Sequence, residues 1–396
     1  MTRVRPLMAL YQQPWPISSA VAPRLDPSIP VEEEKIPNYH ADRFYPIHLG
    51  QVLNGRYQIA TKFGYGANST VWLARDLNRW RWSPEKYVAV KVNATNQRSR
   101  RSKGNELDIM RHISQVNPKH KGWHFIRKLS DSFELQGSVI PPDILKILVQ
   151  MILHALDYLH SECRIVHTDL KPDNIMVKIE DPSIFERDAQ DEFDNPLPQK
   201  HIDERTIIYL SRNNYGPLSV PTGTIQIVDF DLSVRAEPGQ VHTGAIQGEI
   251  YRAPEVILNA GYTYSADIWS LGVMLWDLLE GKSLFNPTAP GNADEYDDQS
   301  HLGQISALIG PPPQSLLSSG QRTSMFYEPN GELKNPGLVP APGDFSFENT
   351  ISCMGGEEKV RFIRFIKRMV KWSSEERSTA RELLDDPWLY EDFPQD

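Results

Sequence analysis

Cysteine is nearly absent from this chain: Cys163 and Cys353 are the only two in 396 residues. Two cysteines cannot build a disulfide framework, so a reducing compartment such as the cytosol or nucleus fits better than a secreted setting. Long apolar runs are missing too. The most apolar stretch, Ile144 to Leu156, is too short to cross a bilayer and contains Lys146, Gln150 and His154. No membrane association is expected. A transit peptide is disfavoured, because Pro6, Pro14 and Pro16 interrupt any amphipathic helix after Arg3 and Arg5. An excess of basic charge is also lacking. Lys and Arg number 42 against 51 Asp and Glu, a net charge of −9, which argues against direct nucleic-acid binding and favours basic partners. No internal repeat is apparent.

What is present is ordinary globular material. Hydrophobic residues make up 40% and aromatics 10%, enough for a sizeable core. The length suits one two-lobed enzyme or two modest domains, and a monomer is expected. Residues 1–40 are proline-rich without helix or strand period, which reads as a flexible arm draped over the adjoining lobe or as a docking segment. Strand patterns come next: Arg56 to Ile59, then Lys62 to Ala74 with a glycine turn inside it, then the β-branched Tyr87 to Val92. Lys103 to Ile113 has helical spacing, and Leu129 to Leu135 can form a further strand. From Pro142 the pattern turns helical, with Ile144, Leu148, Met151, Ile152, Ala155 and Leu159 on one broad face. Residues 179–222 interrupt it with acids and prolines. Such length implies an exposed insertion that is either functional or disordered. The reading is therefore α+β with two lobes: an arm at 1–40, a small β-rich lobe at 41–137, a large helical lobe at 138–390 carrying the insertion, and a tail at 391–396.

Chemistry concentrates in His167-Thr168-Asp169-Leu170-Lys171-Pro172-Asp173-Asn174. A carboxylate stands five residues before an amide with a lysine between them. Phosphoryl transfer needs that set: Asp169 to orient a hydroxyl and take its proton, Asn174 to hold magnesium, and Lys171 to offset charge on the moving phosphate. Asp229, after the strand Thr224 to Val228, is a second candidate magnesium ligand. Upstream, Gly64-Tyr65-Gly66-Ala67-Asn68-Ser69-Thr70-Val71 is a variant glycine-rich loop, with Ser69 at the third glycine position. Glycines let a backbone approach phosphate oxygens, and Val71 can pack on a nucleotide base. Ala89 and Lys91 lie on the next strand. Lys91 is the candidate for the phosphate contact, and Glu106 for its ion-pair partner. ATP and Mg2+ are the expected cofactors. Each signal has a plain alternative, namely a hairpin glycine turn, a strand lysine or a solvated helix face. Their order along one chain disfavours those alternatives.

Taken together, residues 50 to 390 resemble the eukaryotic protein-kinase superfamily. Ala253-Pro254-Glu255 would close the activation segment, Glu255 pairing with Arg377, and Asp267 in Asp267-Ile268-Trp269-Ser270-Leu271-Gly272 would hold the catalytic loop. A finer resemblance is to the SR-protein kinases, and Arg43-Phe44-Tyr45-Pro46 ahead of the glycine-loop strand fits their fungal-type members. It rests on Ser69-Thr70-Val71-Trp72-Leu73-Ala74, Tyr158-Leu159-His160, the threonine between His167 and Asp169, Tyr251 to Glu255, the insertion before Asp229, and the run from His301 to Pro312. It implies a serine/threonine protein kinase acting on Arg-Ser-rich proteins such as splicing factors, in cytoplasm and nucleus. Asp294, Glu295, Asp297 and Asp298 form an acidic cluster compatible with basic substrates, though an ordinary solvated loop reads equally well. Thr168 replaces the arginine that grips an activation-loop phosphate in many kinases, so activity without such phosphorylation is expected.

The chain also departs from the family. Only Glu134 to Pro141 separate the strand near Phe133 from the long helix. A strand of about five residues nearly fills that length, so a fifth strand, the adenine-binding hinge and a short helix are expected to be missing. Asp231 replaces a glycine after Asp229-Phe230, and Gly248 replaces a threonine whose hydroxyl bridges aspartate and lysine in Ser/Thr kinases. A catalytically dead scaffold is therefore the competing reading. A small-molecule kinase is a third, disfavoured by the complete substrate segment ending in Glu255.

Overall fold

The computed structural model describes residues 10–36, 39–66, 69–93, 103–126, 142–177, 181, 183–203, 205–212, 224–237, 239–341 and 343–391. By its internal contacts the chain divides into two compact units. The first comprises Met1–Arg100, Ser130–Phe133 and Lys178–Ser219; the second comprises Arg101–Leu129, Glu134–Val177 and Val220–Asp396.

The first unit is built on an antiparallel sheet of β1 (Val52–Leu53), β2 (Tyr57–Gly66), β3 (Ser69–Asp76) and β4 (Tyr87–Asn93), in that spatial order. In β3 and β4 successive residues point to opposite faces, and Val71 opposes Lys91 while Leu73 opposes Ala89. Both faces are covered. One carries Ile59, Trp72 and Ala74 with Val88, Val90 and Val92. The other carries Phe63, Leu73 and Tyr87, with Val71 packed alongside.

Their covers come from the insertion and the arm. The insertion forms α3 (Ser183–Asp194) and a hairpin of β7 (Gln199–His201) and β8 (Ile207–Tyr209). Expected as an appendage of the helical lobe, it groups instead with the β-rich unit. The cause is apolar: Tyr209 joins the first face and Phe185 and Ala189 the second. The arm, expected to be flexible, is bonded throughout residues 12–34. Trp15 and the Gln58 side chain exchange two hydrogen bonds of 2.8 and 2.9 Å. Leu25 N–H donates to the Gln199 carbonyl, and Gln199 N–H to that of Pro23. Three successive glutamates then grip three separate stretches of chain. Glu32 accepts from the Ser211 amide at 3.1 Å, Glu33 pairs with Lys62 on β2, and both oxygens of Glu34 lie 2.7 Å from Lys200. The Lys62 side chain is wholly buried, with Glu32 3.4 Å away and the Tyr209 carbonyl at 3.0 Å. Removing one partner of a buried pair typically costs ~3–5 kcal/mol, and the remaining Glu32 lowers that here, so Glu33→Ala is expected to destabilise this unit by about 2 kcal/mol. Urea unfolding followed by hydrogen exchange on β2 checks it; an unchanged midpoint refutes it.

The second unit is helical. α1 (Lys103–Gln115), expected with the small lobe, groups here, its Ile109 and Ile113 joining the large core. α2 (Pro142–Asp157) runs on into a π-helical turn, Tyr158–Cys163, ended by Arg164 in left-handed conformation. The short strands β5 (Ile165–Val166), β6 (Ile175–Val177), β9 (Ile225–Ile227) and β10 (Val234–Arg235) pair as β5–β10 and β6–β9. α4 (Pro254–Ile257) precedes α5 (Ser265–Glu280), which is buried over most of its circumference, as its nearly continuous apolar sequence requires. Gly272 is needed there because a Cβ would stand 2.8 Å from Val370. β11 (Thr288–Ala289), β12 (Asn292–Tyr296) and α6 (Asp298–Ile309) follow, then the smaller C-terminal helices. Among the described residues no helix is long and apolar enough to cross a membrane. The expected strand at 129–135 and the short connection 134–141 lie outside the described residues. Among those described, the small sheet has four strands.

Candidate active site

Residues 167–174 form the loop between β5 and β6, and α5 holds it from beneath. Asp267 accepts the His167 amide at 2.8 Å, the Thr168 amide at 2.9 Å and the His160 ring at 2.9 Å. A carboxylate is suited to this because it has acceptors enough for all three. Thr168 sits at φ +72°, which a side-chain-bearing residue adopts only when its surroundings impose it. The His167 ring accepts the Asp169 amide at Nδ1, so its Nε2–H donates to the Val228 carbonyl at 2.8 Å.

On this support the three catalytic candidates meet. Lys171 Nζ lies 2.9 Å from Asp169 Oδ2. The Asn174 amide group donates to the Asp169 carbonyl at 2.7 Å and to Oδ2 at 3.1 Å. Burial pulls the Lys171 ammonium down, but the hydrogen bond it donates to Asp169 and the charges of Asp169, Asp173 and Asp229 outweigh it, holding its pKa above the ordinary value. Lys171 therefore remains a cation. Gly248 supplies no bridging hydroxyl, and the lysine reaches the aspartate directly.

Strand register brings Asp229 to the same place. Ile175 opposes Ile227, and the Val228 amide donates to the Asn174 carbonyl at 3.0 Å, so Asp229 stands one residue past the position facing Asn174. Asp229 adopts φ +65° and the following Phe230 is buried against the His167 ring. The donor set fits magnesium. Both amide hydrogens of Asn174 face Asp169, so the Asn174 side chain presents its carbonyl oxygen as the remaining donor, and Asp229 adds a carboxylate. Magnesium in such sites takes one or two protein oxygens and completes its shell with phosphate and water. Among the described residues no cluster of three or more His, Cys, Asp or Glu could hold a metal without such help.

Within the segment from Asp229 to Glu255, several of the fastenings come from uncharged groups. Thr168 Oγ1 donates to the Leu232 carbonyl and Ser233 Oγ to that of His167. At the far end stands Gln247, which sequence reading passed over. Its amide donates to the Thr168 carbonyl at 2.9 Å, its Nε2 to Ala266 O and Ser270 Oγ, and its Oε1 accepts from Ala253 N–H. Only its place between two segment motifs could have flagged it. Gln247→Ala removes three bonds of roughly 1 kcal/mol each, and a slip of ~1 Å can cost about a hundredfold in rate, so kcat/KM for a peptide should fall at least tenfold. Steady-state kinetics would show this, and phosphatase treatment of the parent chain should change nothing. A phosphatase-sensitive parent would contradict it.

Glu255 and Arg377 form the expected clamp, two bonds of 2.6 Å. The acidic cluster is mostly engaged within the fold. Asp297 caps α6 through the Ser300 amide, and Asp298 pairs with Arg252 at 3.3 Å and Arg322 at 2.8 Å. The Asp294 side chain lies outside the described residues. In the first unit, Gly64, Tyr65 and Gly66 end β2, Ser69 and Val71 begin β3, and Ala89 and Lys91 lie on β4. A Cβ on Gly64 would meet nothing within 4 Å, so no packing within the structure demands that glycine. Close approach of a phosphate would. Ala67 and Asn68 lie outside the described residues. Glu106 is on α1 with its side chain outside them, and so the expected Lys91–Glu106 pair falls outside them as well.

The family model described as the protein kinase domain matches residues 57–389. A serine/threonine protein kinase of Aspergillus fumigatus is 34% identical over 93% of this chain and 93% of its own length. The serine/threonine-protein kinase SRPK of Physarum polycephalum is 29% identical over 90% and 91%, and the protein kinase dsk1 of Schizosaccharomyces pombe 24% over 92% and 86%. A crystallised kinase domain, 22% identical, aligns with a TM-score of 0.64 over 88% of this chain and 99% of that one, a likeness of fold.

Proposed function

Since the chain belongs to the protein kinase family, as a serine/threonine protein kinase related to the SR-protein kinases, we propose that it moves the γ-phosphoryl group of Mg-ATP to serines in Arg-Ser-rich protein segments. The observation that carries this reading is the intact Asp169–Lys171–Asn174 constellation, braced by Asp267 and joined through strand register to Asp229. Asp169 would accept the serine hydroxyl proton as the oxygen attacks. Lys171, kept charged, would stabilise negative charge spreading over the transferred group. Asn174 and Asp229 would hold magnesium, which supplies charge neutralisation at the phosphates when bound. Gly64 to Ser69, Val71, Ala89 and Lys91 would position the nucleotide, Lys91 fixed by Glu106.

The net charge of −9 and the SR-protein-kinase relatives support basic substrates. The engaged Asp297 and Asp298 are not the docking acids under this reading. The hydrogen bonds of Thr168, Ser233 and Gln247, which need no phosphate, support activity without loop phosphorylation. Action as a monomer in cytoplasm and nucleus completes the proposal. The scaffold reading keeps one observation in its favour, the short stretch Glu134 to Pro141 where a hinge is expected. The deciding experiment is phosphate transfer from saturating Mg-ATP to an Arg-Ser repeat peptide and to its Lys-Ser counterpart. Transfer favouring the arginine peptide is expected. A folded chain that transfers to neither would sink the proposal in favour of the scaffold.

A further inference from the structure

We infer that α3 of the insertion is an inhibitory cover on the nucleotide face of the small sheet. The inference rests on the nucleotide-binding reading of Val71, Ala89 and Lys91. Those three share one face: Val71 opposes Lys91 across β3 and β4, and Ala89 stands two residues from Lys91. Leu73 and Tyr87 lie on the same face by the same alternation. α3 lies on it. Phe185 and Ala189, one helical turn apart, are buried against Phe63, Leu73 and Tyr87, and Val71 and Ile184 pack onto the same cluster.

The contact is too close for a base. The Phe63 and Phe185 rings stand 6.0 Å centroid to centroid at 44°. A flat base between two walls needs about 7 Å, twice the ~3.5 Å carbon contact distance. The cover is also fastened. Glu192, buried near the C-terminal end of α3, accepts from Arg212 at 3.0 Å, from the Leu197 amide at 3.2 Å and from Thr61 at 3.4 Å. Ser18 of the arm donates to the Phe193 carbonyl, and Trp15 meets the Phe193 ring edge-on at 5.5 Å. Helix and nucleotide thus compete for one apolar surface. Apparent affinity for ATP is the intrinsic affinity scaled by the fraction of molecules in which α3 has lifted.

The test uses the full chain and Mg-ATP, with dissociation constants from titration calorimetry. Two variants displace the cover: Phe185→Glu, and replacement of 183–194 by a Gly-Ser linker of equal length. Arg187→Glu, on the exposed side of α3, is the control. Both displacing variants are expected to bind Mg-ATP at least tenfold more tightly than the parent and the control, with hydrogen exchange in α2 and α5 unchanged. Equal or weaker binding in both overturns the inference and makes α3 a wall of the pocket or a mere brace. The kinase reading fails separately: tighter binding without phosphate transfer would refute it and leave the cover standing, whereas transfer by the parent with no gain in the variants would do the reverse.

Discussion

Replacing Asp169 with asparagine is expected to lower kcat for phosphate transfer by about a thousandfold, within the ~10²–10⁴ range of a general base in the transition state. The substitution keeps shape and removes the proton acceptor. The introduced amide could still meet the Asn174 side chain, which now reaches Asp169 Oδ2 at 3.1 Å, but it could not pair with Lys171 as a charge. The KM for ATP should change less than threefold, because in the proposed role Asp169 would touch the hydroxyl and not the nucleotide. Lys171 gives a second readout. With its main carboxylate partner gone, burial should bring its pKa down from its raised position. A pH–rate profile of the residual activity would then lose its alkaline plateau at lower pH than the parent does. A kcat within tenfold of the parent would mean that Asp169 is not the base.

The largest effect on stability is expected from Glu255→Ala. The Arg377 guanidinium is wholly buried and meets Glu255 through two bonds of 2.6 Å. It also donates to the carbonyls of Lys371 and Ser265 and lies 5.0 Å over the Trp269 ring. Removing the carboxylate leaves that cation in the core beside groups that cannot neutralise it. Breaking such a pair costs about 3–5 kcal/mol, which corresponds to roughly 5–10 °C in Tm for the larger unit. Replacing both residues by Met and Leu should cost less than Glu255→Ala alone, since no charge is then stranded. Calorimetric melts of the two variants decide it. A single variant no less stable than the double one would show that the carbonyls alone satisfy Arg377.

Much of the catalytic region was legible before any coordinate. His167 to Asn174 is contiguous, so its chemistry is written in local spacing. Asp267 and the Glu255–Arg377 clamp were legible because each belongs to a short motif with a fixed partner. Gln247 was not, because an amide between a loop and two helices carries no periodic or compositional mark. Its role exists only when Thr168, Ala253, Ala266 and Ser270 converge on it. The acidic cluster shows the opposite case. Its composition was compatible with a substrate surface or with an ordinary solvated loop, while its geometry engages Asp297 as a helix cap and Asp298 in two ion pairs.

The arm and insertion mark the same limit. Proline content pointed away from long helices or strands in the arm, and among its described residues a 3-10 helix spans Glu32–Lys35, while backbone bonds to Gln199 and the grips of Glu32, Glu33 and Glu34 hold it in place. By itself the sequence determined the lobed α+β class and the kinase family, and it singled out the candidate reacting groups. Those depend on residue types at short, fixed separations. Only the tertiary structure decided that the insertion belongs to the β-rich unit and that α3 lies on the face of Val71 and Lys91. The reason is physical: burial of Phe185 and Ala189 is non-directional and goes to whichever apolar surface the chain can reach, and no local pattern records which surface that is.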